Sequence, residues 1–430
     1  MPTLPLKLSQ RWHYAKEQAI SFLMQQAVEN PQVISLAAGL VDAGSLPVAE
    51  TQHACQALLS NDARARQALQ YGTTAGAERL REQVLKLFAA QEGKDPEALG
   101  LSREQIVLTT GSQQMLSLAC EVLLDPGDIC LISGPTYFVF CGNLDGVGAE
   151  PVVIPADEHG MNTDRLEAAL QILEQAGQLP RVKLIYSVSY YDNPSGISLA
   201  DDRRKRIVEL AKQYSKYHRI CVLEDAAYRE LRYDGPVHPS IWGHDAERAY
   251  VIYTQTFSKS FSPGIRVGFA ILPKDLVKPV CDRKGNEDFG SSNFNQHLLA
   301  TVLESGEYRA HVEQVCAAYR AKRDAMLAAA DEFFSEIPGV SWVRPHGGLY
   351  VWMSLPERVP TGFRSDLFRT AVAEGVMYVP GELSYAGPKE SVPKHQMRLS
   401  YGVQSPEGIR EGMRRLANAV RKTPGTAPAS

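Results

Sequence analysis

The sequence lacks several patterns by which nucleotide-binding and redox proteins are recognised. Its 430 residues contain neither G-x-G-x-x-G nor G-x-x-x-x-G-K-[ST], the glycine-rich loops that hold the phosphates of dinucleotides and nucleoside triphosphates. There is no C-x-x-C, and no basic stripe runs along a chain whose formal net charge is -4. These absences argue against nucleic acid as a partner. Any phosphate group that the protein binds needs a different cradle.

Cysteine usage indicates a reducing compartment. The 7 cysteines are odd in number and widely spaced, and several fall in apolar runs, where cysteine behaves as a small hydrophobic residue. Such usage is typical of cytoplasmic proteins. No apolar stretch approaches the length of a membrane span, and the first residues contain no signal-like apolar region. We therefore expect a cytoplasmic protein without a membrane partner.

What is present is an alternation of apolar, strand-like segments with helical ones. A hydrophobic content of 44% allows sizeable cores, and the length suits two or three domains or one two-lobed enzyme, at roughly 100–200 residues per domain. Buried strands interleaved with helices predict an α/β fold whose mostly parallel, seven-stranded sheet is flanked by helices. The predicted strands are Ile106–Thr109, Ile129–Ser133, Pro151–Ile154, Val182–Val188, Ile220–Glu224, Tyr250–Thr254 and Val267–Leu272.

The pattern changes after residue 305 into an α+β arrangement. A long helix is predicted over Tyr308–Phe334, followed by strands such as Leu349–Trp352 and Met397–Tyr401. A further strand, Val33–Ala37, lies far upstream. We expect both chain ends together to build a smaller α+β domain beside the large one.

The segment that says most about chemistry runs from Thr254 to Gly268. A strand leads there into a small-residue loop with one lysine, Lys259, between the hydroxyls of Thr256 and Ser258. The hydroxyls suit hydrogen bonds to a phosphate, and Arg266 can hold a phosphate through two parallel bonds. Fixed positive charge nearby disfavours the ammonium form of a lysine and so helps it to act as a nucleophile. Taken alone, the segment is equally typical of a solvated serine-rich turn.

Three further segments follow predicted strands, at the end where ligands of open α/β sheets bind. Ser112 opens a helix whose amino end attracts anions, although helix capping explains this serine as well. Asp225 can pair with a protonated ring nitrogen or cap a helix. Asn193 begins Asn-Pro-Ser-Gly, which by itself indicates a plain tight turn.

Together these segments resemble the class I and II aminotransferases of PLP fold type I, and in particular the kynurenine/2-aminoadipate aminotransferase group. The motif T-x-S-K-x-x-x-P-G-x-R-x-G follows N-P-S-G and E-D-x-x-Y in the family's order, and the resemblance covers roughly Gln32 to Tyr401. It implies pyridoxal 5′-phosphate as cofactor, an amino acid and a 2-oxo acid as substrates, and a homodimer. It also implies an N-terminal arm with part of the small domain at residues 1–60, a large cofactor-binding domain at 61–305 and a C-terminal small domain at 306–430.

The resemblance implies a role for each matching residue. Lys259 forms the internal aldimine with the cofactor, Asp225 keeps the ring nitrogen protonated, and Arg398 pairs with the substrate α-carboxylate. Tyr71 reaches the phosphate bound by the other subunit. Without the family, Tyr71 and Arg398 would be read as ordinary packing or surface residues, as would Tyr137. The other implied contacts are Ser112, Gln113, Thr256, Ser258 and Arg266 to the phosphate, Tyr137 to the ring face, Asn193 and Tyr228 to the phenolic oxygen, and Gly39 to the carboxylate.

Departures from the family pattern shape the substrate expectation. Asp192 stands where glutamine is common, and the loop after Gly39 lacks a frequent proline. Some relatives that accept 2-aminoadipate use an arginine in the helix before Val33, where this chain has Phe22 and, further upstream, Arg11. We therefore expect an L-amino acid with an apolar or aromatic side chain as donor, and a 2-oxo acid such as 2-oxoglutarate as acceptor.

Two alternatives share this fold. A PLP-dependent lyase or oxidase would have nearly the same site residues, and product analysis would distinguish it. A PLP-sensing transcription regulator would carry a DNA-binding domain before the first strand. Only about thirty residues precede Val33, so we do not expect a regulator.

Overall fold

A computed structural model describes residues 6–9, 12, 14, 32–388 and 390–425. Phe22 and Arg11, which carry part of the substrate expectation, lie outside these described residues. None of the described helices combines the length and the apolar character of a membrane span.

Helices and strands alternate along the described chain, as the apolar periodicity predicts. The strands are β1 (Ile34–Ser35), β2 (Ile106–Thr109), β3 (Ile129–Gly134), β4 (Glu150–Asp157), β5 (Gly160–Met161), β6 (Val182–Val188), β7 (Cys221–Asp225), β8 (Val251–Thr256), β9 (Gly268–Ile271), β10 (Ser341–Trp342), β11 (Tyr350–Ser354), β12 (Val376–Met377), β13 (Val379–Pro380) and β14 (Gln396–Ser400). The α-helices are α1 (Val48–Leu59), α2 (Asp62–Leu69), α3 (Glu78–Gln91), α4 (Ser112–Leu123), α5 (Phe138–Val147), α6 (Thr163–Gln175), α7 (Asp201–Tyr214), α8 (Ile241–His244), α9 (Lys274–Asp288), α10 (Asn293–Ser305), α11 (Glu307–Phe334), α12 (Asp366–Ala373) and α13 (Pro406–Lys422). Short 3-10 helices span Ala43–Ser45, Pro96–Leu99, Arg103–Gln105, Leu179–Arg181 and Gly381–Ser384.

The large sheet has the strand order β2-β9-β8-β7-β6-β3-β4-β5. All seven predicted strands are present, and the two-residue strand β5 adds an eighth, antiparallel to β4. Strands β8, β7, β6, β3 and β4 are parallel, whereas β9 is antiparallel to both of its neighbours. The carboxyl ends of β2, β3, β6, β7 and β8 therefore meet at one edge of the sheet.

Alternation of side chains along the strands produces a core on each face of this sheet. Residues on one face pack with helices such as α3, and those on the other face pack with α4, α5 and α9. Because both faces are covered, the strands are continuously apolar rather than alternating, as is typical of parallel sheets. Residues of the first core include Ile106, Ile185, Val222 and Tyr253, and those of the second include Val107, Leu184, Leu223 and Ile252.

The smaller unit draws on both ends of the chain, as expected. Its antiparallel sheet has the order β10-β11-β14-β13. Strand β1 pairs in parallel with β12, and the Ser400 N–H donates to the Leu36 carbonyl oxygen at 2.7 Å. The segment from Ile34 to Leu36 is thus joined to the C-terminal part of the chain, from which it is separated by the entire large sheet.

Candidate active site

Most of the predicted site residues converge where the strands of the large sheet end. Loops that follow β2, β3, β6, β7 and β8 surround a cavity of about 180 Å³. Its lining residues are Gly111, Ser112, Gln113, Tyr137, Val188, Asn193, Asp225, Ala227, Tyr228, Thr256, Ser258, Lys259, Pro263 and Arg266. The sheet topology thus brings together segments that lie far apart in sequence.

One end of the cavity is an anion cradle. Arg266 Nη1 donates to Ser258 Oγ at 3.3 Å, and the Thr256 hydroxyl donates to the same Ser258 oxygen at 2.9 Å. Helix α4 begins opposite them, after a glycine that has no side chain to cap its first N–H groups. These N–H groups and the guanidinium present positive potential to the same space. Gln113 lies in this first turn, with its side-chain amide donating to Asn143 Oδ1 at 3.2 Å.

Two glycines permit the close approach that forms this cradle. A Cβ on Gly268 would lie 2.7 Å from the Gly111 carbonyl carbon and 2.8 Å from the Ser112 nitrogen. Gly111 has a φ of 73°, and a Cβ there would lie 2.9 Å from Arg266 Nη2. Side chains at either position would push the loop after β2 away from the loop after β8.

The Asp225 carboxyl is buried at the end of β7. Tyr186 Oη donates to its Oδ2 at 3.1 Å and the Ala227 N–H donates to Oδ1 at 3.1 Å. Burial raises the pKa of Asp225 to about 6, although both hydrogen bonds oppose the rise. A cationic group beside this carboxyl would compensate for the solvation that the ionised form has lost.

The Lys259 amine is also buried in the cavity. Its Nζ donates to the Gly39 carbonyl oxygen at 2.9 Å. Burial lowers the pKa of Lys259, Tyr350 opposes this shift, and the nearby guanidiniums of Arg398 and Arg266 add to it. The neutral, nucleophilic amine is therefore favoured more than in a solvent-exposed lysine.

Arg398 lies next to the cavity on the smaller unit and is only 2% exposed. Its Nη1 donates to Asn193 Oδ1 at 2.8 Å and its Nη2 to the Ala37 carbonyl oxygen at 2.9 Å. These neutral acceptors leave its charge uncompensated, and its Nε has no hydrogen-bond partner among the described residues. Such a guanidinium is suited to bind a carboxylate.

Sequence reasoning missed Tyr350, which contacts two predicted residues, Tyr228 and Arg398. Its hydroxyl lies 3.3 Å from that of Tyr228, and its ring lies 4.3 Å from the Arg398 guanidinium carbon. Burial alone would raise the Tyr350 pKa, but Arg398, Lys259 and the Tyr228 hydrogen bond lower it. The sequence feature that could have drawn attention to Tyr350 is the pair Gly347-Gly348 before strand β11, since paired glycines mark a close backbone approach.

Tyr71 is the predicted residue that the structure leaves away from the cavity. Its exposed fraction is 83%, and its ring packs against the similarly exposed Phe289 at 5.7 Å. Neither residue lines the cavity of its own chain. A role for Tyr71 at this site would require a second subunit.

Asp192, which departs from the family pattern, is buried beside the site. Ser195 Oγ donates to its Oδ2 at 2.8 Å, and its Oδ1 has no hydrogen-bond partner within the described part of the chain. Burial raises the pKa of Asp192 to about 7, the hydrogen bonds from Ser195 oppose this rise, and Asp225 adds to it. The buried Asp192 carboxyl therefore changes between its protonated and ionised forms near neutral pH.

Comparison with known proteins identifies the family. The profile of the family "Aminotransferase class I and II" matches residues 31–416. The chain is 38% identical to aromatic-amino-acid aminotransferase 1 of Thermococcus litoralis, over 92% of this chain and 89% of that protein. It is 33% identical to 2-aminoadipate transaminase of Thermus thermophilus, over 91% of each. The crystal structure of Pyrococcus horikoshii kynurenine aminotransferase, in complex with PMP, matches with a TM-score of 0.88 at 33% identity, covering 96% of this chain and 97% of that one.

The chain therefore belongs to the class I and II aminotransferases, with PLP fold type I. It is an enzyme that transfers amino groups, and its cofactor is pyridoxal 5′-phosphate. The cavity fits this group. The cradle at Arg266 suits a phosphate, the buried Asp225 carboxyl suits a protonated ring nitrogen, and the Lys259 amine suits an aldehyde carbon.

Replacement of Asp192 by asparagine is expected to change how stability depends on pH. The folded protein holds a proton at Asp192 up to a pKa of about 7, whereas the unfolded chain releases it near the ordinary value of 3.8. The free energy of unfolding of the wild type therefore falls by up to about 4 kcal/mol as pH rises from 3.8 to about 7. Asp192→Asn cannot ionise, so its Tm relative to wild type should be higher at pH 8 than at pH 5.

The control is Asp62→Asn, at a carboxyl that is 81% exposed. Its Tm difference from wild type should be nearly the same at both pH values. An equal difference at pH 5 and pH 8 for Asp192→Asn as well would show that the Asp192 carboxyl does not titrate in this range.

Proposed function

We propose that this aminotransferase moves the amino group of an L-amino acid with an apolar or aromatic side chain to a 2-oxo acid such as 2-oxoglutarate, in the cytoplasm. Lys259 is the residue that bonds the cofactor through an aldimine. The observation that carries the proposal is the buried Lys259 amine in a cavity that also holds Asp225 and the Arg266 cradle. The proposed domains are an N-terminal arm with part of the small domain at residues 1–60, a large cofactor-binding domain at 61–305 and a C-terminal small domain at 306–430.

The polar and aromatic residues that line the cavity each have a part in the proposed function. Asp225 balances the charge of the ring nitrogen, and Tyr137 covers one face of the ring. Asn193 and Tyr228 donate hydrogen bonds to the phenolic oxygen, while Arg398 orients Asn193 through the 2.8 Å contact. The phosphate is held by Ser112, Gln113, Thr256, Ser258 and Arg266.

When bound, pyridoxal phosphate withdraws electrons from the substrate Cα, which makes the Cα proton acidic. Lys259 Nζ takes that proton as a general base. Later in the reaction it gives the proton up again as a general acid. The role needs an amine that is neutral in part, and burial together with Arg398 and Arg266 supports this by lowering the pKa of Lys259. The Gly39 carbonyl holds Nζ at 2.9 Å when the amine is otherwise unengaged.

The donor preference rests on the cations near the site. Arg266 belongs to the phosphate cradle, which leaves Arg398, with Gly39 nearby, for the α-carboxylate. Among the described residues the cavity lining contains no other arginine and no lysine besides Lys259. The 38% identity to a protein named aromatic-amino-acid aminotransferase supports an apolar or aromatic donor, while the 33% identity to a 2-aminoadipate transaminase favours an acidic one. We propose the apolar or aromatic donor because the described site offers no partner for a distal carboxylate. The distal carboxylate of 2-oxoglutarate as acceptor would need Arg11, a flexible loop or water.

A homodimer completes the proposal. Tyr71 is exposed together with other large apolar side chains of the same region, such as Leu69 and Phe289. Exposed apolar groups that adjoin one another are characteristic of protein interfaces. A second copy would bury them and bring Tyr71 to the phosphate of its partner.

The lysine assignment is tested by chemical trapping. The purified holoenzyme should absorb visible light, and borohydride should fix the cofactor covalently on Lys259, as peptide mass mapping would show. Lys259→Ala should bind the cofactor without trapping it, whereas replacement of the exposed Lys278 should leave trapping unchanged. Labelling of another lysine would refute the assignment.

Arg398→Ala is expected to lower kcat/KM by about two orders of magnitude or more. Loss of one partner of a buried, hydrogen-bonded charge pair costs about 2–5 kcal/mol, and each ~1.4 kcal/mol is a factor of ten. Visible absorbance of the cofactor should persist in Arg398→Ala and in Arg398→Lys. If the cofactor were lost together with activity, Arg398 would act by holding Asn193 rather than by binding substrate.

Initial rates with aromatic, aliphatic and acidic donors, read by formation of the 2-oxo acid, decide the substrate class. Aromatic and aliphatic donors should give the higher kcat/KM values. A clear preference for 2-aminoadipate or aspartate would contradict the proposed specificity while leaving the aminotransferase intact.

Shared sites should be detectable by complementation. Tyr71→Ala and Lys259→Ala are each expected to be nearly inactive. Mixing and reassembling them should restore about a quarter of wild-type activity, because half of randomly formed dimers are mixed and each mixed dimer has one complete site. A monomer that is fully active in sedimentation experiments would rule out this arrangement.

A further inference from the structure

The segment from Leu36 to Asp42 touches both groups on which the proposed chemistry depends. Its Ala37 carbonyl oxygen accepts from Arg398 Nη2 at 2.9 Å, and its Gly39 carbonyl oxygen accepts from Lys259 Nζ at 2.9 Å. A displacement of this segment therefore changes the surroundings of the amine and of the guanidinium together. We refer to residues 36–42 as the entry segment.

The entry segment is fixed at its start by the smaller unit. The Leu36 N–H donates to the Met377 carbonyl oxygen at 2.9 Å, and the Leu36 carbonyl oxygen accepts from the Ser400 N–H at 2.7 Å. A Cβ on Gly402 would lie 2.5 Å from the Leu40 carbonyl oxygen, so the chain passes very close to the end of β14. The two Leu36 hydrogen bonds involve the backbone alone, whereas the close approach to Leu40 requires a glycine at position 402.

At its far end the entry segment is held by side chains of helix α11. Lys322 Nζ donates to Asp42 Oδ1 at 2.8 Å, and the Asp42 N–H donates to Tyr319 Oη at 2.9 Å. The Lys322 side chain is 8% exposed and the Asp42 side chain 21%. Lys322 Nζ also lies 3.4 Å from the Gly402 carbonyl oxygen, so one ammonium group joins the entry segment to the end of β14.

The electrostatics favour this contact. Burial alone would raise the pKa of Asp42, but hydrogen bonds from Lys322 and Ser45 hold it below its ordinary value. Asp42 is thus ionised at neutral pH and pairs with a largely buried cation. Removal of the Asp42 charge would leave the largely buried Lys322 ammonium without its counter-ion.

We propose that Lys322 is a positioning residue for substrate binding: through Asp42 it fixes the entry segment, and with it the Ala37 and Gly39 carbonyls, over the donor-binding side of the cavity. The inference rests on the proposed function, because it takes Arg398 and Lys259 as the groups that meet the donor. Lys322 touches neither cofactor nor substrate and acts through Asp42.

Lys322→Met keeps the length of the side chain and removes its charge, and Asp42→Asn keeps the shape of its partner. In the holoenzyme each variant should raise KM for the donor about tenfold, which corresponds to ~1.4 kcal/mol, with kcat within about threefold of wild type. Cofactor absorbance should be unchanged, because the proposed cofactor contacts lie in other loops. Lys322→Arg, which retains the cation, should restore a KM near that of wild type.

Coupling is tested by the double variant Lys322→Met/Asp42→Asn. If the two residues act as one unit, its KM should be no higher than that of the worse single variant. The matched control is the exposed pair Lys278–Asp282, where Lys278→Met should leave KM unchanged. Hydrogen exchange at residues 39–45 should be faster in Lys322→Met than in Lys322→Arg.

These outcomes separate the inference from the proposed function. All comparisons use the donor that wild-type enzyme accepts best, whichever class it belongs to, so a wrong substrate class leaves the test valid. An unchanged KM in both single variants overturns the inference, as does an additive double variant. A fall in Tm and cofactor content with KM unchanged would assign Lys322 a structural role only. If Lys322→Met fails to fold, Asp42→Asn and Lys322→Arg decide.

Discussion

Burial of the Lys259 amine is the constraint on which the rest of the site depends. An amine that must lose its proton near neutral pH needs a site with little water, and two guanidiniums nearby strengthen the effect. Such an arrangement is unfavourable for folding, because Lys259, Arg266 and Arg398 are like charges that meet mostly neutral oxygens. The two-sided core of the large sheet supplies the stability against which this local cost is set.

Burial also shifts the pKa values of the carboxyl groups at the site, as it does that of the Lys259 amine. Asp225 and Asp192 are both buried, and burial is the main reason why the pKa of each carboxyl is raised; the charge of Asp225 adds to the rise at Asp192, and that of Glu224 adds to the rise at Asp225. Asp225 lies at the end of a central strand, where a cationic ring nitrogen can meet it, and its hydrogen bonds from Tyr186 and Ala227 fix its orientation. Asp192 has a hydroxyl donor on one oxygen and no partner for the other in the described chain, so its neutral form is favoured. The surroundings of Asp225 thus suit a carboxylate that pairs with a cation, whereas those of Asp192 suit a protonated carboxyl.

Much of the large domain could be predicted from sequence because its signals are local. Apolar runs such as Val182–Val188 define buried strands wherever they lie, and the lysine loop and the turn at Asn193 consist of consecutive residues. Strand β5 pairs with the adjacent β4 but has only two residues, too few to give an apolar pattern. The antiparallel direction of β9 depends on its pairing with the distant strand β2, which leaves no local pattern. Tyr350 was missed for the same reason, since its partner Tyr228 is 122 residues away. The Asp42–Lys322 pair, 280 residues apart, is a still clearer case.

These contacts between residues distant in sequence lie where the large sheet meets the smaller unit and the entry segment. Arg398 to Asn193, Tyr350 to Tyr228 and Lys259 to Gly39 each connect a residue of the large sheet edge to one from the smaller unit or the entry segment. Within one subunit, by contrast, the cofactor contacts proposed for the phosphate and ring nitrogen belong to loops of the large sheet. In the proposed function, the contacts that a single subunit makes to the cofactor thus come from the large sheet, whereas those to the substrate depend on how the smaller unit meets it. Because the entry segment is the strip of chain that lies between them, changes in its anchoring are expected to alter substrate recognition while leaving cofactor binding intact.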